Sequence, residues 1–284
     1  MQDVAIDLQG VPETMLWPLW NRANEHRLSN ALIEDPWADE LVTSIDYDFE
    51  SHFGKPSVFH AIRARVADDL LRSYHARLGE DATVVALGEG LDSQRLRTEI
   101  PGSQWVSVDL PEALDVRRSL LPRADEERMV PCSALDPQWL DALECRRPPF
   151  ITALGLFMYF EEAEVKDLLE RIATALPGAE ILFDTIPPFF SKKTVRGHQI
   201  TDEYVAPPMP WGIEVTRLAG FLRSANWTPL RVQTYAEPFP KRLRFYWMLS
   251  KIRPLRAALA GGLAHARSDL LENDGAASWQ GPSD

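Results

Sequence analysis

Cysteine is nearly absent from this sequence, with only Cys132 and Cys145 among 284 residues. Two thiols without CxxC or histidine spacing build neither a disulfide framework nor a zinc site, so they read as reduced cysteines and no metal is expected. No apolar run approaches the roughly 18 residues of a membrane span, so no membrane partner is expected. The opening MQDVAIDLQG lacks the basic and then apolar pattern of a secretory signal, and a cytoplasmic protein is the expectation. Positive charge is scarce too. Against 42 Asp and Glu stand 30 Lys and Arg, a formal net charge of -12, and no basic cluster is present to neutralise phosphates, which argues against nucleic acid as a partner. What remains is an ordinary globular composition, 45% hydrophobic and 25% charged, able to bury a core. No internal repeat is visible.

Periodicity separates three zones. Residues 1–78 are predicted as an N-terminal helical cap, broken at Pro18, Pro36 and Pro56. Its longest helix, Val58 to Leu78, would bury Val66, Leu70, Leu71 and Tyr74 and turn Arg63, Asp68, Asp69 and Arg72 outward. Residues 79–271 alternate short apolar runs with amphipathic stretches, the pattern of βαβ units in an α/β, doubly wound sheet. The runs are Thr83 to Leu87, Trp105 to Val108, Met129 to Cys132, Phe150 to Leu154 and Ile181 to Phe183, with helices at Pro111 to Leu121 and Glu161 to Leu176. Residues 187–212 form a Pro-rich, aromatic-rich insertion too long for an ordinary α/β connection, and a lid is expected there. Beyond it come a helix at Glu214 to Ala225 and a strand at Pro229 to Tyr235, while Leu243 to Leu249 fits either a final strand or a helix. The tail 272–284 is polar and predicted to be disordered.

The chemistry concentrates after the first run. In TVVALGEGLD, Gly88 and Gly90 permit a sharp turn and close approach of a ligand. Asp109 ends the next strand, 109 − 90 = 19 residues later, where an acidic side chain accepts hydrogen bonds from ribose hydroxyls. A third glycine is missing, since position 93 is Ser, and Glu89 would set negative charge where a pyrophosphate lies. NAD and FAD are therefore disfavoured, whereas S-adenosylmethionine carries a ribose, no phosphate and a sulfonium cation. A plain tight turn is the alternative.

These segments resemble the leucine carboxyl methyltransferase family, most closely its bacterial branch of tetracenomycin-type polyketide O-methyltransferases. The resemblance runs from Val11 to Trp211 through VPETMLWPLW, IRARVADDL, LGEGLDSQ, VDLPEAL, SALDPQW, LGLFMYF, FDTIPPFFSKKT and PPMPWG, in that order. It implies a Rossmann-like class I methyltransferase sheet with the last strand antiparallel, and S-adenosyl-L-methionine as cofactor. By match to the family motifs, Gly88, Glu89, Gly90 and Asp92 surround the methionine part, and Asp109 with Leu110 holds the ribose. Ser133, Ala134 and Leu135 fall at the adenine, and Gly155 precedes the MY pair. Arg65 matches the arginine that pairs with the cofactor carboxylate, and Arg63 is the alternative. Two departures stand out: Ala134 replaces an acidic adenine reader, and Leu154 stands where the family usually has Glu.

The implied reaction is methyl transfer to an oxygen of a small molecule, a carboxylate or phenol of a polyketide-type secondary metabolite. Methylation of a protein C-terminal carboxyl and a catalytically silent cofactor-binding module are the alternatives. Neither Pro131–Cys132 nor the Pro207–Pro208 pair matches a base-methylating motif, the former lying after the wrong strand and the latter in the insertion. A carboxylate needs no base, while a phenol does, and Tyr159, His198, Tyr204 and His60 are the weak candidates, since a lone His or Tyr is more often a packed or exposed structural residue. Trp17, Trp20, Tyr159, Phe189, Phe190, Tyr204, Met209 and Trp211 would wall an aromatic acceptor, with Arg22, Lys192, Lys193 or Arg196 for its carboxylate. Lid packing explains any one of them equally well. The oligomeric state is not legible.

Overall fold

The computed structural model describes residues 12–269. The predicted tail and the first residues of the predicted cap lie outside them. Seven strands form one sheet: β1 (Thr83–Leu87), β2 (Gln104–Asp109), β3 (Arg128–Pro131), β4 (Phe150–Ala153), β5 (Glu180–Thr185), β6 (Trp227–Thr234) and β7 (Gly262–Ser268). Their order is β3-β2-β1-β4-β5-β7-β6. Strands β1 to β5 pair in parallel, and β7 is antiparallel to both of its neighbours. This is the expected doubly wound sheet with an antiparallel last strand. The chain begins in the middle, runs outward to β3 and returns beside β1 as β4. That reversal opens a crevice at the carboxyl ends of β1 and β4, where such sheets bind ligands.

Every residue of β1 is buried, which is why its sequence reads as a continuous apolar run and not as an alternation. Its side chains still alternate between two layers. Val85 and Leu87 enter a core with Trp139, Leu168, Ile172, Leu218 and Trp227, supplied largely by α8 (Glu162–Ala175) and α10 (Val215–Ser224). Val84 and Ala86 face Ala67, Leu71 and Tyr74 of α4 (Phe59–Leu78). The predicted division at residue 78 thus separates α4 from the sheet face that it covers.

The first three helices, α1 (Leu16–His26), α2 (Pro36–Ser44) and α3 (Phe49–Phe53), form a smaller core. Leu16, Leu19, Leu41, Phe49 and Phe53 meet Leu91 and Leu96 of the segment after β1, and Tyr204 of the insertion. The other helices are α5 (Gln94–Thr98), α6 (Pro111–Leu120), α7 (Gln138–Asp141), α9 (Pro188–Val195), α11 (Arg244–Ser250) and α12 (Arg253–Leu259). The ambiguous stretch at Leu243 to Leu249 is therefore helical. The insertion is not a bare loop, because α9 begins at a proline in the permissive first turn. No helix among the described residues is long and apolar enough to cross a membrane.

One expectation for α4 fails in an instructive way. Leu71 and Tyr74 are buried as predicted, but so are Arg63 and Asp68. Each has an opposite charge waiting inside: Arg63 Nη1 donates to Asp184 at 3.0 Å, and Asp68 accepts from Arg97 Nε at 3.0 Å. Buried charges persist where they are paired and hydrogen-bonded.

Candidate active site

A cavity of about 540 Å³ opens at the carboxyl ends of β1, β2, β4 and β5, a size suited to a cofactor and a small acceptor. Its floor is the turn after β1. Gly88 and Gly90 take φ of 62° and 51°, in the left-handed region that favours glycine. The space is also full: a Cβ on Gly88 would lie 2.7 Å from Leu156 Cδ1, and one on Gly90 would lie 2.8 Å from Met15 Cβ. Asp109 closes the turn from β2, accepting the Gly90 N–H on Oδ2 and the Leu110 N–H on Oδ1, both at 2.8 Å. Burial raises its pKa, and the two N–H groups work against that rise. Each carboxylate oxygen keeps acceptor capacity for a diol.

Glu89 corrects the sequence-based expectation of a negative charge facing the ligand. Its Oε2 accepts from the Trp105 indole at 3.1 Å and from Ser107 Oγ at 2.7 Å. Its Oε1 lies 3.0 Å from Arg117 Nη2, an ion pair without hydrogen-bond alignment. Burial pushes the Glu89 pKa up, and Arg117 opposes that shift. Arg117, on α6, does more than neutralise. Its Nη1 donates to the Gly90 and Asp92 carbonyls at 2.8 Å each, while Nε and Nη2 grip Glu127 at 2.8 and 2.9 Å. It thereby bolts the glycine turn to α6. Nothing in the sequence singles out Arg117 among the residues of α6.

The two candidate arginines separate cleanly. Arg65, the first choice, does not line the cavity. Its side chain is 43% exposed, pairs with Asp69 at 2.9 Å and donates to the Leu32 carbonyl at 3.0 Å. Arg63 does line it, held by Asp184 at the end of β5. Asp184 also accepts the Gly155 N–H and the Tyr235 hydroxyl, both at 2.5 Å. Asp184 and Tyr235 are cavity residues that the sequence did not single out.

Asp92 lines the cavity from within a buried ion network. Arg97 Nη1 donates to Asp92 at 2.7 Å and to Asp35 at 3.0 Å, and Arg22 Nε donates to Asp35 at 2.9 Å. Burial alone would raise the Asp92 pKa, but Arg22 and Arg97 hold it well below the usual carboxylate range. Arg22, expected to meet an acceptor carboxylate, is committed to Asp35 and to the Leu91 carbonyl.

Other candidates fall on both sides of the cavity wall. Trp17, Tyr159, Phe189, Phe190 and Met209 line it, as do Leu110 and Gly155. Ser133, Ala134 and Leu135 do not: Ser133 Oγ accepts the Leu135 N–H, and the Ala134 carbonyl takes the Trp139 indole. Trp20 is turned toward Phe49 and donates to the Gly54 carbonyl at 3.1 Å. Tyr204 packs edge-on against Phe53 in the cap core, and Trp211 is 2% exposed among Phe157, Phe183 and Phe221. Aromatic side chains seal cores as readily as they wall cavities, and these three seal cores. Lys192, Lys193, Arg196 and His198 border a separate open depression that shares Phe189 with the main cavity.

Neither tyrosine is suited to accept a proton as a phenolate. Burial raises the pKa of Tyr159 and of Tyr204, so both stay protonated. Burial and Lys193 lower that of His198, which sits against Phe190 at the outer depression.

Residues 16–173 match the family model of leucine carboxyl methyltransferase, more than half of the chain. The tetracenomycin polyketide synthesis O-methyltransferase of Streptomyces glaucescens is 35% identical over 187 residues, 65% of this chain and 69% of that protein. An S-adenosyl-L-methionine-dependent methyltransferase of Gibberella zeae is 29% identical over 202 residues, 63% of this chain and 67% of that protein.

Proposed function

Since the chain belongs to the leucine carboxyl methyltransferase family and is an S-adenosylmethionine-dependent O-methyltransferase, we propose that its acceptor is a flat, largely apolar small molecule of the polyketide kind. The cavity residues fit the cofactor. Gly88 and Gly90 form the cavity floor as a left-handed turn with no room for a Cβ beside Leu156 and Met15, Asp109 has acceptor capacity for the ribose hydroxyls, and Arg63 offers a guanidinium for the amino acid carboxylate. The cofactor supplies a methyl group on a sulfonium, and in-line displacement leaves a neutral thioether.

What the protein adds is position and a dry wall. The observation that carries the acceptor class is the apolar side of the cavity, where Trp17, Met158, Phe189, Phe190, Met209 and Leu249 converge. Rings and thioethers of this kind bind a planar apolar body with little demand for polar partners. Among the described residues, the three arginines lining the cavity are already paired, Arg22 with Asp35, Arg63 with Asp184 and Arg256 with Glu237. An acceptor anion therefore meets hydrogen-bond donors more than free cations. Incubating the protein with labelled S-adenosylmethionine and aromatic acids and phenols of two to four fused rings tests the reading. Label in the organic extract supports it; label only in added protein C-termini overturns it.

A further inference from the structure

His60 lines the cavity one helical turn before Arg63, and its polarity is set from behind. Asn21 Oδ1, on α1, accepts the Ser57 backbone N–H at 2.7 Å. The amide nitrogen is thereby turned to the imidazole, where it meets His60 Nδ1. An amide NH2 only donates, so Nδ1 must accept, and a neutral ring that accepts there carries its proton on Nε2. Nε2 has no partner among the described residues. Trp17 stands edge-on to the ring at 5.9 Å. Burial and the nearby Arg63 and Arg22 cations oppose a second proton on the ring, with Asp92 acting the other way, and the pKa falls well below that of an ordinary histidine.

The ring thus shows the cavity an N–H and no lone pair. The carboxylates around it are engaged as well: Asp92 by Arg97, Asp109 by two backbone N–H groups, Asp184 by Gly155, Arg63 and Tyr235.

We propose that the Asn21–His60 pair determines which acceptors react: His60 Nε2–H binds an acceptor oxygen that arrives ionised, and Asn21 keeps that nitrogen from serving as a base. The proposal rests on the methyl-transfer reading above. In the transfer, an oxygen lone pair forms the O–CH3 bond as the C–S bond breaks, the sulfur keeps the bonding pair, and no proton moves. A phenol that arrives protonated must first give up a proton, and the ring offers it no acceptor. Asn21→Asp reverses the polarity, because a carboxylate accepts from Nδ1–H and the neutral ring then turns its Nε2 lone pair to the cavity.

Side-chain 15N spectra of the full chain read the tautomer directly, with His60→Gln identifying the signal among six histidines. The expected result is Nε2–H in the natural protein and Nδ1–H in Asn21→Asp. With 2-naphthoate and 2-naphthol as probes, His60→Leu should raise the naphthoate KM at least tenfold and leave the cofactor KM within twofold. His60→Gln, which keeps a donor, should restore most of that loss, and Asn21→Asp should gain methylation of 2-naphthol. An Nδ1–H tautomer in the natural protein, or an unchanged naphthoate KM in His60→Leu, overturns the proposal. If naphthoate moves the Nε2–H resonance yet no ester forms, the proposed reaction fails and the His60 contact stands. If ester forms while that resonance does not move, the contact fails.

Discussion

Gly155 leaves the space that the Arg63 guanidinium occupies: a Cβ at position 155 would lie 2.7 Å from Nη1 and 2.9 Å from Nη2. The glycine also has φ of 74°, and its N–H and Arg63 both reach Asp184. Gly155→Ala should therefore act on cofactor binding through an arginine on another element, in addition to the roughly 1 kcal/mol cost of a left-handed alanine. Titration calorimetry should show cofactor affinity weakened about tenfold or more, by ~1.4 kcal/mol.

The choice between the two arginines has its own test. Arg63→Lys should lose at least about tenfold in cofactor affinity, because a point ammonium does not reproduce a planar fork. Arg65→Lys, on the half-exposed side of α4, should stay within about twofold, as exposed ion pairs contribute ~0–1 kcal/mol. Equal losses in the two variants would refute the assignment.

Arg117→Met should destabilise the fold by about 3–5 kcal/mol, since it leaves Glu89 and Glu127 buried without their cation. It also frees the Gly90 and Asp92 carbonyls, so cofactor binding should weaken even well below the melting temperature. Urea unfolding followed by tryptophan fluorescence, paired with calorimetry at 15 °C, separates the two effects. A variant as stable as the parent would contradict the bolt described for this residue.

Asp109→Ala should weaken cofactor binding by roughly 10- to 100-fold, about 1.4–2.8 kcal/mol, through loss of charge-assisted bonds to the ribose. Part of the loss is indirect, because the Gly90 N–H loses its partner. Comparing S-adenosylhomocysteine with its 2′,3′-dideoxy analogue isolates the direct part. The parent should discriminate between them, and the variant should not.

Acid should loosen the seam between β5 and β7. Glu180 on β5 accepts from Arg77 of α4 at 2.7 Å and from His265 and Arg267 of β7 at 2.8 and 2.9 Å. Burial by itself would raise its pKa, but His265, Arg267 and Arg77 bring it down to about 2 from the ordinary 4.5. With the folded pKa below the unfolded one, the stabilisation is complete above about pH 4.5 and is lost as pH falls toward 2. Its size is at most about 3 kcal/mol, and less in practice because both arginines are half exposed. Glu180→Gln should flatten this part of the stability curve in denaturant titrations between pH 5 and 2.

The parts of the molecule legible in advance were those whose pattern has one physical reading. A five-residue apolar run ending in Gly88-Glu89-Gly90, with Asp109 on the following strand, states both a buried parallel strand and the glycine turn that floors the cavity. Strand β7 did not announce itself, because GLAHARS is Ala-rich and its polar His265 and Arg267 point to a carboxylate from another strand. Arg63 and Arg65 are two positions apart on a helix, about 200° around its axis, so only one can face the cavity and composition cannot say which. Trp211 and Tyr204 look like acceptor walls until their neighbours are known. Asp184 sat inside a quoted segment, yet its importance comes from Arg63, Gly155 and Tyr235, partners between 29 and 121 residues away.

The position of β7 between β5 and β6 governs the order in which the molecule can be assembled. Although it follows the other six strands of the described residues, it is an interior strand, so the outer edge of β5 has no partner until residues 262–268 arrive. An unpaired edge is a template for pairing with a second chain, and ribosomal synthesis at about 5–20 residues per second leaves it bare for several seconds. Asp184 and Thr185 lie on that edge. The nascent chain can therefore build its glycine turn early, whereas the Asp184 side of the cavity gains its neighbouring strand only as the last one docks.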